Sequence, residues 1–161
     1  MKAEHRNNID SSFNGFTLIE LIVVIFIISL TTALVMPNLW GRGEQALISE
    51  AKRTGNTLRY IYDEAAGRKQ YYVLKIDLNL NSWGYESEEK SRSFTLKENI
   101  IFKDVVLPSL GNVSVGEVTM EFGPLGPGEP ITIHLEKDDN EYTVKFNHIS
   151  GRAKLYEGYV L

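Results

Sequence analysis

Hydrophobic and polar positions change their period along this chain, and the first segment is almost entirely apolar. Residues 16–36 hold a single ionisable side chain, the carboxylate of Glu20. As a helix this run is roughly 30 Å long at about 1.5 Å per residue, which matches the hydrocarbon core of a bilayer. The pattern therefore predicts a transmembrane helix over residues 16–36. Because a charge inside such a helix costs about 3 kcal/mol, Glu20 needs a partner or a function.

The second segment has the period of an amphipathic helix. Between Glu44 and Ala66, apolar side chains recur on one helical stripe, at Leu47, Ala51, Leu58, Ile61, Tyr62 and Ala65. This stripe is expected to cover a sheet, with most charged residues on the opposite, solvated face. Pro37 removes one helical hydrogen bond, so the helix should bend, loosen or end there. Gly67 is the expected stop of the second helix.

Beyond Gly67 the period falls to two, which is typical of strands. Apolar residues alternate with polar ones in runs separated by turn residues, at 72–78, 93–96, 100–107, 117–122, 131–136, 142–146 and 153–156. The glycine- and proline-rich segment 123–130 is predicted to be a loop, either a simple connection or a contact surface. The fold class expected is α+β: a long N-terminal helix, transmembrane then amphipathic, followed by a mostly antiparallel, β-sandwich-like domain.

Composition excludes several kinds of site. The chain has no cysteine, so it can form neither a disulfide framework nor a thiolate metal site. Its formal net charge is -4, and DNA affinity depends mainly on neutralising phosphates. Nucleic-acid binding is therefore not expected, although Arg68 and Lys69 stand beside Tyr71 and Tyr72.

No catalytic constellation is evident in the sequence. His5 precedes the apolar run, and His134 and His148 fall in or beside predicted strands, where surface or partly packed positions are expected. The common nucleophile, phosphate-binding and zinc-binding motifs are missing. We therefore expect a protein that is not an enzyme and needs no cofactor.

One weak metal candidate lies after the first predicted strand. Asp77, Asn79, Asn81 and Glu88 occupy positions one, three, five and twelve of a calcium-binding loop. Ser82 stands where that loop requires glycine. The same residues suit a strand end and a turn, so calcium binding is a secondary hypothesis.

The residues around the start of the apolar run resemble a known processing motif. From Gly15 to Glu20 the chain reads Gly-Phe-Thr-Leu-Ile-Glu, which is similar to type IV prepilins and to the pseudopilins of type II secretion. The resemblance implies that prepilin peptidase cuts between Gly15 and Phe16 and that Phe16 is then methylated. It also implies that Glu20 pairs with the amino terminus of a neighbouring subunit, and that the helix near Pro37 can unwind in a filament.

Further stretches, 68–83 and 122–128, are similar to the minor pseudopilin H of type II secretion. That resemblance implies a two-sheet head and a place near the tip of a periplasmic filament that drives protein export. The implied organisation is a leader over residues 1–15, a transmembrane helix over 16–36, a periplasmic helix over 37–67 and a β-rich head over 68–161. The protein would sit in the bacterial inner membrane with a cytoplasmic amino terminus. Its implied partners are prepilin peptidase, major and minor pseudopilins, the inner-membrane assembly platform and exported substrates.

Several alternatives stay open at this point. A secretory signal peptide is disfavoured because its short apolar core precedes the cleavage site, whereas Gly15 precedes a longer core. A plain membrane anchor would explain Glu20 by snorkelling to the interface. A minor pilin of a type IV pilus, acting in assembly or DNA uptake, shares the same motif. A membrane-anchored periplasmic binding domain is the remaining alternative.

Overall fold

The computed structural model of the chain describes residues 16–40, 42–97 and 99–161. It divides into two compact units, Met1–Trp40 and Gly41–Leu161. The predicted leader, with His5 and Gly15, lies outside the described residues.

The first unit contains a single described helix, α1, at Leu18–Trp40. It continues through Pro37, so a helix end at that residue is wrong. Proline removes only one backbone donor, and the helical path is maintained to Trp40. Among the described residues, no helix combines the length and apolarity that crossing a bilayer requires. The membrane span over 16–36 stays a prediction from the sequence.

The second unit begins with helix α2 at Arg42–Arg68. The residues of its predicted apolar stripe are buried, apart from the half-buried Tyr62, which confirms the amphipathic pattern. The predicted stop at Gly67 is wrong because the helix includes that residue. Instead the chain leaves the helix at Lys69, whose φ of 54° is the left-handed conformation common at helix ends.

Ten strands among the described residues form two antiparallel sheets. The strands are β1 Tyr72–Asp77, β2 Ser82–Glu86, β3 Ser91–Thr95, β4 Ile101–Leu107, β5 Gly111–Val113, β6 Glu117–Gly123, β7 Gly126–Pro127, β8 Ile131–Lys137, β9 Asn140–Asn147 and β10 Arg152–Glu157. The first sheet has the order β3-β2-β1-β6-β7, and the second has the order β10-β9-β8-β4-β5. The predicted α+β class with a two-sheet head is confirmed.

Strands β2, β5 and β7 were not predicted from the sequence. In β2, Gly84 stands between Trp83 and Tyr85, and it weakens the strand signal because glycine is uncommon in strands. The glycine is required by the neighbouring strand, because a Cβ at Gly84 would lie 2.2 Å from the carbonyl oxygen of Arg92. The segment 123–130 is not wholly a loop, since β7 pairs with the end of β6 inside it.

The core lies between α2 and the inner faces of the two sheets. Helix α2 packs against β6 of the first sheet and against β8, β9 and β10 of the second. Large side chains from both sheets meet beneath it, and the rings of Phe122 and Phe146 are 5.7 Å apart. Burial of this apolar surface is the main stabilising term for the head.

Candidate processing and assembly site

The first turn of α1 is organised by Thr17, which directly precedes the helix. The backbone N–H of Glu20 donates to Thr17 Oγ1 at 3.3 Å, and the N–H of Leu21 donates to the Thr17 carbonyl at 3.2 Å. Thr17 is therefore the N-cap, and Glu20 is the third helical residue, as in the Thr-x-x-Glu capping pattern. This pattern before an apolar run is a recognisable sequence signal for the start of a helix.

Hydroxyl groups farther along α1 are satisfied within the helix. Ser29 Oγ and Thr32 Oγ1 each donate to a carbonyl one turn earlier at 2.7 Å, and Thr31 Oγ1 does so at 2.9 Å. The apolar side chains of residues 18–30 in this helix are exposed around its circumference. Within the described part of the chain, the Glu20 carboxylate has no hydrogen-bond or ion-pair partner. In residues 18–32 the hydroxyl groups thus have partners, whereas the Glu20 carboxylate still needs one.

The predicted processing and assembly residues fall at different places. Phe16 is 79% exposed and stands directly before the Thr17 cap, whereas Glu20 lies in the first turn of α1. Pro37 lies within α1, and Gly15 falls in the part of the chain that is not described. The roles assigned to these four residues stay predictions.

The candidate calcium ligands Asp77, Asn79 and Asn81 accept hydrogen bonds from backbone N–H groups, and calcium binding there stays a prediction. Asp77 Oδ1 accepts two backbone N–H groups of the following turn, both at 2.9 Å. The side-chain oxygens of Asn79 and Asn81 accept other backbone N–H groups at 3.2 and 3.0 Å. Glu88 lies beyond the far end of β2. Nowhere in the described ranges do three or more acidic, histidine or cysteine side chains gather as a metal site.

His134 is fully buried, which corrects its predicted surface or partly packed position. Its Nδ1 lies 2.5 Å from Asp104 Oδ1, and its Nε2 lies 3.1 Å from the carbonyl oxygen of Val160. The Tyr159 hydroxyl donates to Asp104 Oδ2 at 3.1 Å, and its ring stacks on the imidazole at 3.8 Å. Burial, followed by the bond to Asp104, raises the pKa of Tyr159. His148 is half-buried, in agreement with the expected partial packing.

This Asp104–His134–Tyr159 cluster lies on the face of the second sheet that points away from the core. His134 alternates along β8 with the core residues Ile133 and Leu135. The C-terminal segment 158–161 covers it. Thr143 anchors that segment: its hydroxyl donates to the Gly158 carbonyl at 2.6 Å and accepts the N–H of Val160 at 3.0 Å. Because His134 and Asp104 of the sheet contact Val160 and Tyr159, the cluster holds the C-terminal segment on the sheet.

Comparison with protein families identifies the N-terminal element. The prokaryotic N-terminal methylation motif matches residues 10–36. This range includes Gly15, Phe16 and Glu20, on which the predicted processing and assembly depend. A search of curated proteins finds no match to the chain.

Solved structures identify the fold of the head. One structure of the minor pseudopilin EpsH from the type 2 secretion system of Vibrio cholerae matches with a TM-score of 0.51 and 15% identity, covering 69% of this chain and 96% of that one. A crystal structure of the same pseudopilin matches with a TM-score of 0.56 and 16% identity, covering 73% of this chain and 98% of that one. At these identities the likeness shows the fold alone.

The motif and the fold together show which class of protein the chain resembles. The chain carries a prokaryotic N-terminal methylation motif and has a pseudopilin fold. The predicted resemblance to the type IV pilin-like and pseudopilin superfamily is therefore confirmed. In fold, the chain is similar to the minor pseudopilin EpsH of the type II secretion system.

Proposed function

We propose that this chain is a minor pseudopilin of a type II secretion system. It is cut by prepilin peptidase after Gly15, and the new amino terminus at Phe16 is methylated. Residues 16–36 anchor it in the bacterial inner membrane, with the head in the periplasm. It then joins major and minor pseudopilins, at or near the tip of a filament that the inner-membrane assembly platform extends to drive protein export.

The observation that carries this proposal is the presence of two independent features in one chain. The methylation motif covers residues 10–36, and the head that follows has the fold of a minor pseudopilin over nearly all of that protein's length. The solved structures that share the fold are of a pseudopilin, so a structural role in assembly fits the chain better than an enzymatic one.

The first turn of α1 suits an ion pair between subunits. Cleavage after Gly15 places a new amino group on Phe16, next to the N-terminal end of the helix, which carries partial positive charge. A carboxylate of a neighbouring subunit is favoured at such an end. Glu20 can supply it, because its carboxylate lies in the first turn of α1 without a partner among the described residues. In an apolar environment the two charges attract each other strongly, whereas one of them alone would be destabilising.

Processing is tested by co-expressing the full chain with a prepilin peptidase. Gly15→Ala should abolish cleavage, because the peptidase recognises the residue before the cut, and the product should keep the mass of the uncut chain. Gly128→Ala is the matched control, since a Cβ there meets no neighbouring atom, and it should be cut normally. Cleavage of Gly15→Ala at the wild-type site would refute the processing step.

The place of the chain in secretion is tested by deletion in its native host. Deletion should stop export of secreted proteins into the medium and leave surface pili in place, because the proposed filament remains periplasmic. Export is measured from culture supernatants, and pili are measured by shearing and microscopy. Loss of pili with normal export would instead identify a minor pilin.

A further inference from the structure

The first sheet ends in a strand whose outer edge is open. Among the described residues, no strand pairs with the outer side of β3, Ser91–Thr95. The opposite edge of this sheet is β7, which has only two residues and contains Pro127. Short strands and proline protect sheet edges from unwanted pairing. Strand β3 has five residues, four of them exposed, and none is proline, so it can accept another strand.

A groove of about 530 Å³ runs between this edge strand and α2. Its apolar lining is aromatic, from Tyr60 of α2, Tyr85 of β2 and Phe94 of β3. The rings of Tyr60 and Tyr85 are 5.7 Å apart, and burial raises the pKa of Tyr85. Because Tyr85 is paired directly with Arg92 in the sheet, the Arg92 side chain lies on the groove side of β3.

The charged lining of the α2–β3 groove is cationic. Lys52 and Arg53 contribute from α2, and Arg92 contributes from β3. Arg53 lies over the Phe94 ring at 4.4 Å and pairs with the buried Glu50 at 3.3 Å. Within the described residues, Lys52 and Arg92 form no ion pair. The groove therefore carries uncompensated positive charge, although the chain as a whole has a formal charge of -4.

The carboxylates beside the groove are occupied by other cations. Glu50 also pairs with Lys97 at 3.5 Å. Near Tyr60, Glu64 pairs with Lys90 at 2.8 Å. Lys90 is the largest cause of the lowered pKa of Glu64, so this carboxylate stays ionised and paired at neutral pH. Neither acid neutralises Lys52 or Arg92.

We propose that the α2–β3 groove binds an extended acidic peptide segment of a partner protein. The segment pairs with the free edge of β3 as an added strand, so its backbone groups extend the sheet. Successive side chains of a strand point to opposite faces, so alternate residues enter the groove. Carboxylates at those positions meet Lys52 and Arg92, and their apolar stems lie against the aromatic lining.

The α2–β3 groove lies within the second unit, Gly41–Leu161, so peptide binding there does not depend on filament assembly. The test uses the full chain in detergent micelles and a fluorescent eight-residue peptide that alternates glutamate with threonine. Binding is measured by fluorescence anisotropy. The double variant Lys52→Glu, Arg92→Glu should bind at least about tenfold more weakly, because charge pairing at the groove is replaced by repulsion.

Two controls separate groove recognition from general attraction. Arg152→Glu with Lys154→Glu makes the same charge change on β10 and should leave peptide affinity within about twofold, since distant charges are screened. A peptide methylated on alternate backbone nitrogens keeps its carboxylates but loses strand pairing, and should bind at least about tenfold more weakly. The milder double variant Lys52→Gln, Arg92→Gln repeats the test if charge reversal disturbs folding, which circular dichroism reports.

Several outcomes would overturn the proposal. Equal binding of the methylated peptide would exclude strand pairing, and equal loss in the β10 variant would exclude the groove as the site. Tighter, groove-dependent binding of a single-stranded oligonucleotide would replace the peptide by a nucleic acid. The Gly15→Ala chain should bind the peptide normally, so failure of processing and failure of this inference can be told apart.

Discussion

Replacing Asp104 with alanine should lower the free energy of unfolding by about 3–5 kcal/mol, the range found when one partner of a buried pair is removed. Asp104 is 5% exposed and His134 is 0% exposed, so water cannot replace the lost carboxylate. The change also removes the acceptor of the Tyr159 hydroxyl. Chemical denaturation of the full chain in detergent, followed by tryptophan fluorescence, measures the effect.

The geometry around His134 explains why the effect should be large. Its Nε2 faces the carbonyl of Val160, which can only accept a hydrogen bond, so this nitrogen carries a proton. Its Nδ1 lies 2.5 Å from Asp104 Oδ1, within hydrogen-bond distance. Without Asp104, the ring loses that partner while Tyr159 still stacks on it. The C-terminal segment should consequently detach from the sheet.

Asp139 supplies the matched control for this substitution. It is an exposed aspartate in the turn between β8 and β9, and Asp139→Ala should change stability by less than about 0.5 kcal/mol. Combining Asp104→Ala with His134→Ala should cost less than the sum of the two single changes, because each single change leaves a buried polar group unpaired. Additive costs, or a loss below about 1 kcal/mol for Asp104→Ala, would contradict an energetic role for the cluster.

Local periodicity predicted the parts of the fold that local interactions determine. The stripe of α2 and most strand positions follow directly from the spacing of apolar residues, such as Leu58, Ile61 and Ile133. Strand β2 was missed because its central residue is Gly84, and glycine is uncommon in strands. A glycine is needed there because the backbone of the neighbouring strand lies too close for a side chain. Close approach of two backbones has no local signal in the sequence.

Burial by distant segments accounts for the misassigned polar residues. His134 occupies a polar position of an alternating strand, so a surface location was the reasonable expectation. It is buried because the last residues of the chain fold back over the sheet. Glu50 was expected on the solvated face of α2, yet it is 1% exposed and paired with Arg53 and Lys97. The His134–Val160 and Glu50–Lys97 contacts join positions far apart in sequence, which a periodic pattern cannot reveal.

The candidate calcium loop shows how one set of residues can satisfy two patterns. Aspartate and asparagine ligate calcium, but they also accept backbone N–H groups in turns. Asp77 takes the second role in the turn after β1. The α2–β3 groove could not be predicted either, because Lys52 of α2 and Arg92 of β3 line the same groove only in the folded structure.

Glu20→Gln should weaken assembly of the full chain into filaments by well over tenfold, because losing one partner of a pair in an apolar environment costs about 3 kcal/mol or more. This expectation follows from the proposed function. Within residues 18–32, the hydroxyls of Ser29, Thr31 and Thr32 are satisfied by their own helix, whereas the Glu20 carboxylate is not. Membrane insertion should persist or improve, since a charge is removed. Cross-linking between neighbouring subunits measures assembly, and membrane fractionation measures insertion.

Glu20→Gln tests the charge separately from helix capping, because glutamine can replace glutamate at the third helical position of the capping pattern. Thr17→Ala makes the complementary change: it removes the cap, at a cost of about 1 kcal/mol to the helix, and leaves the carboxylate in place. If the ion pair drives assembly, Thr17→Ala should cross-link far better than Glu20→Gln or Glu20→Ala. If capping is the role of Glu20, the order reverses and Glu20→Gln assembles like the wild type. The two roles that the first turn of α1 combines thus have opposite signatures in one experiment.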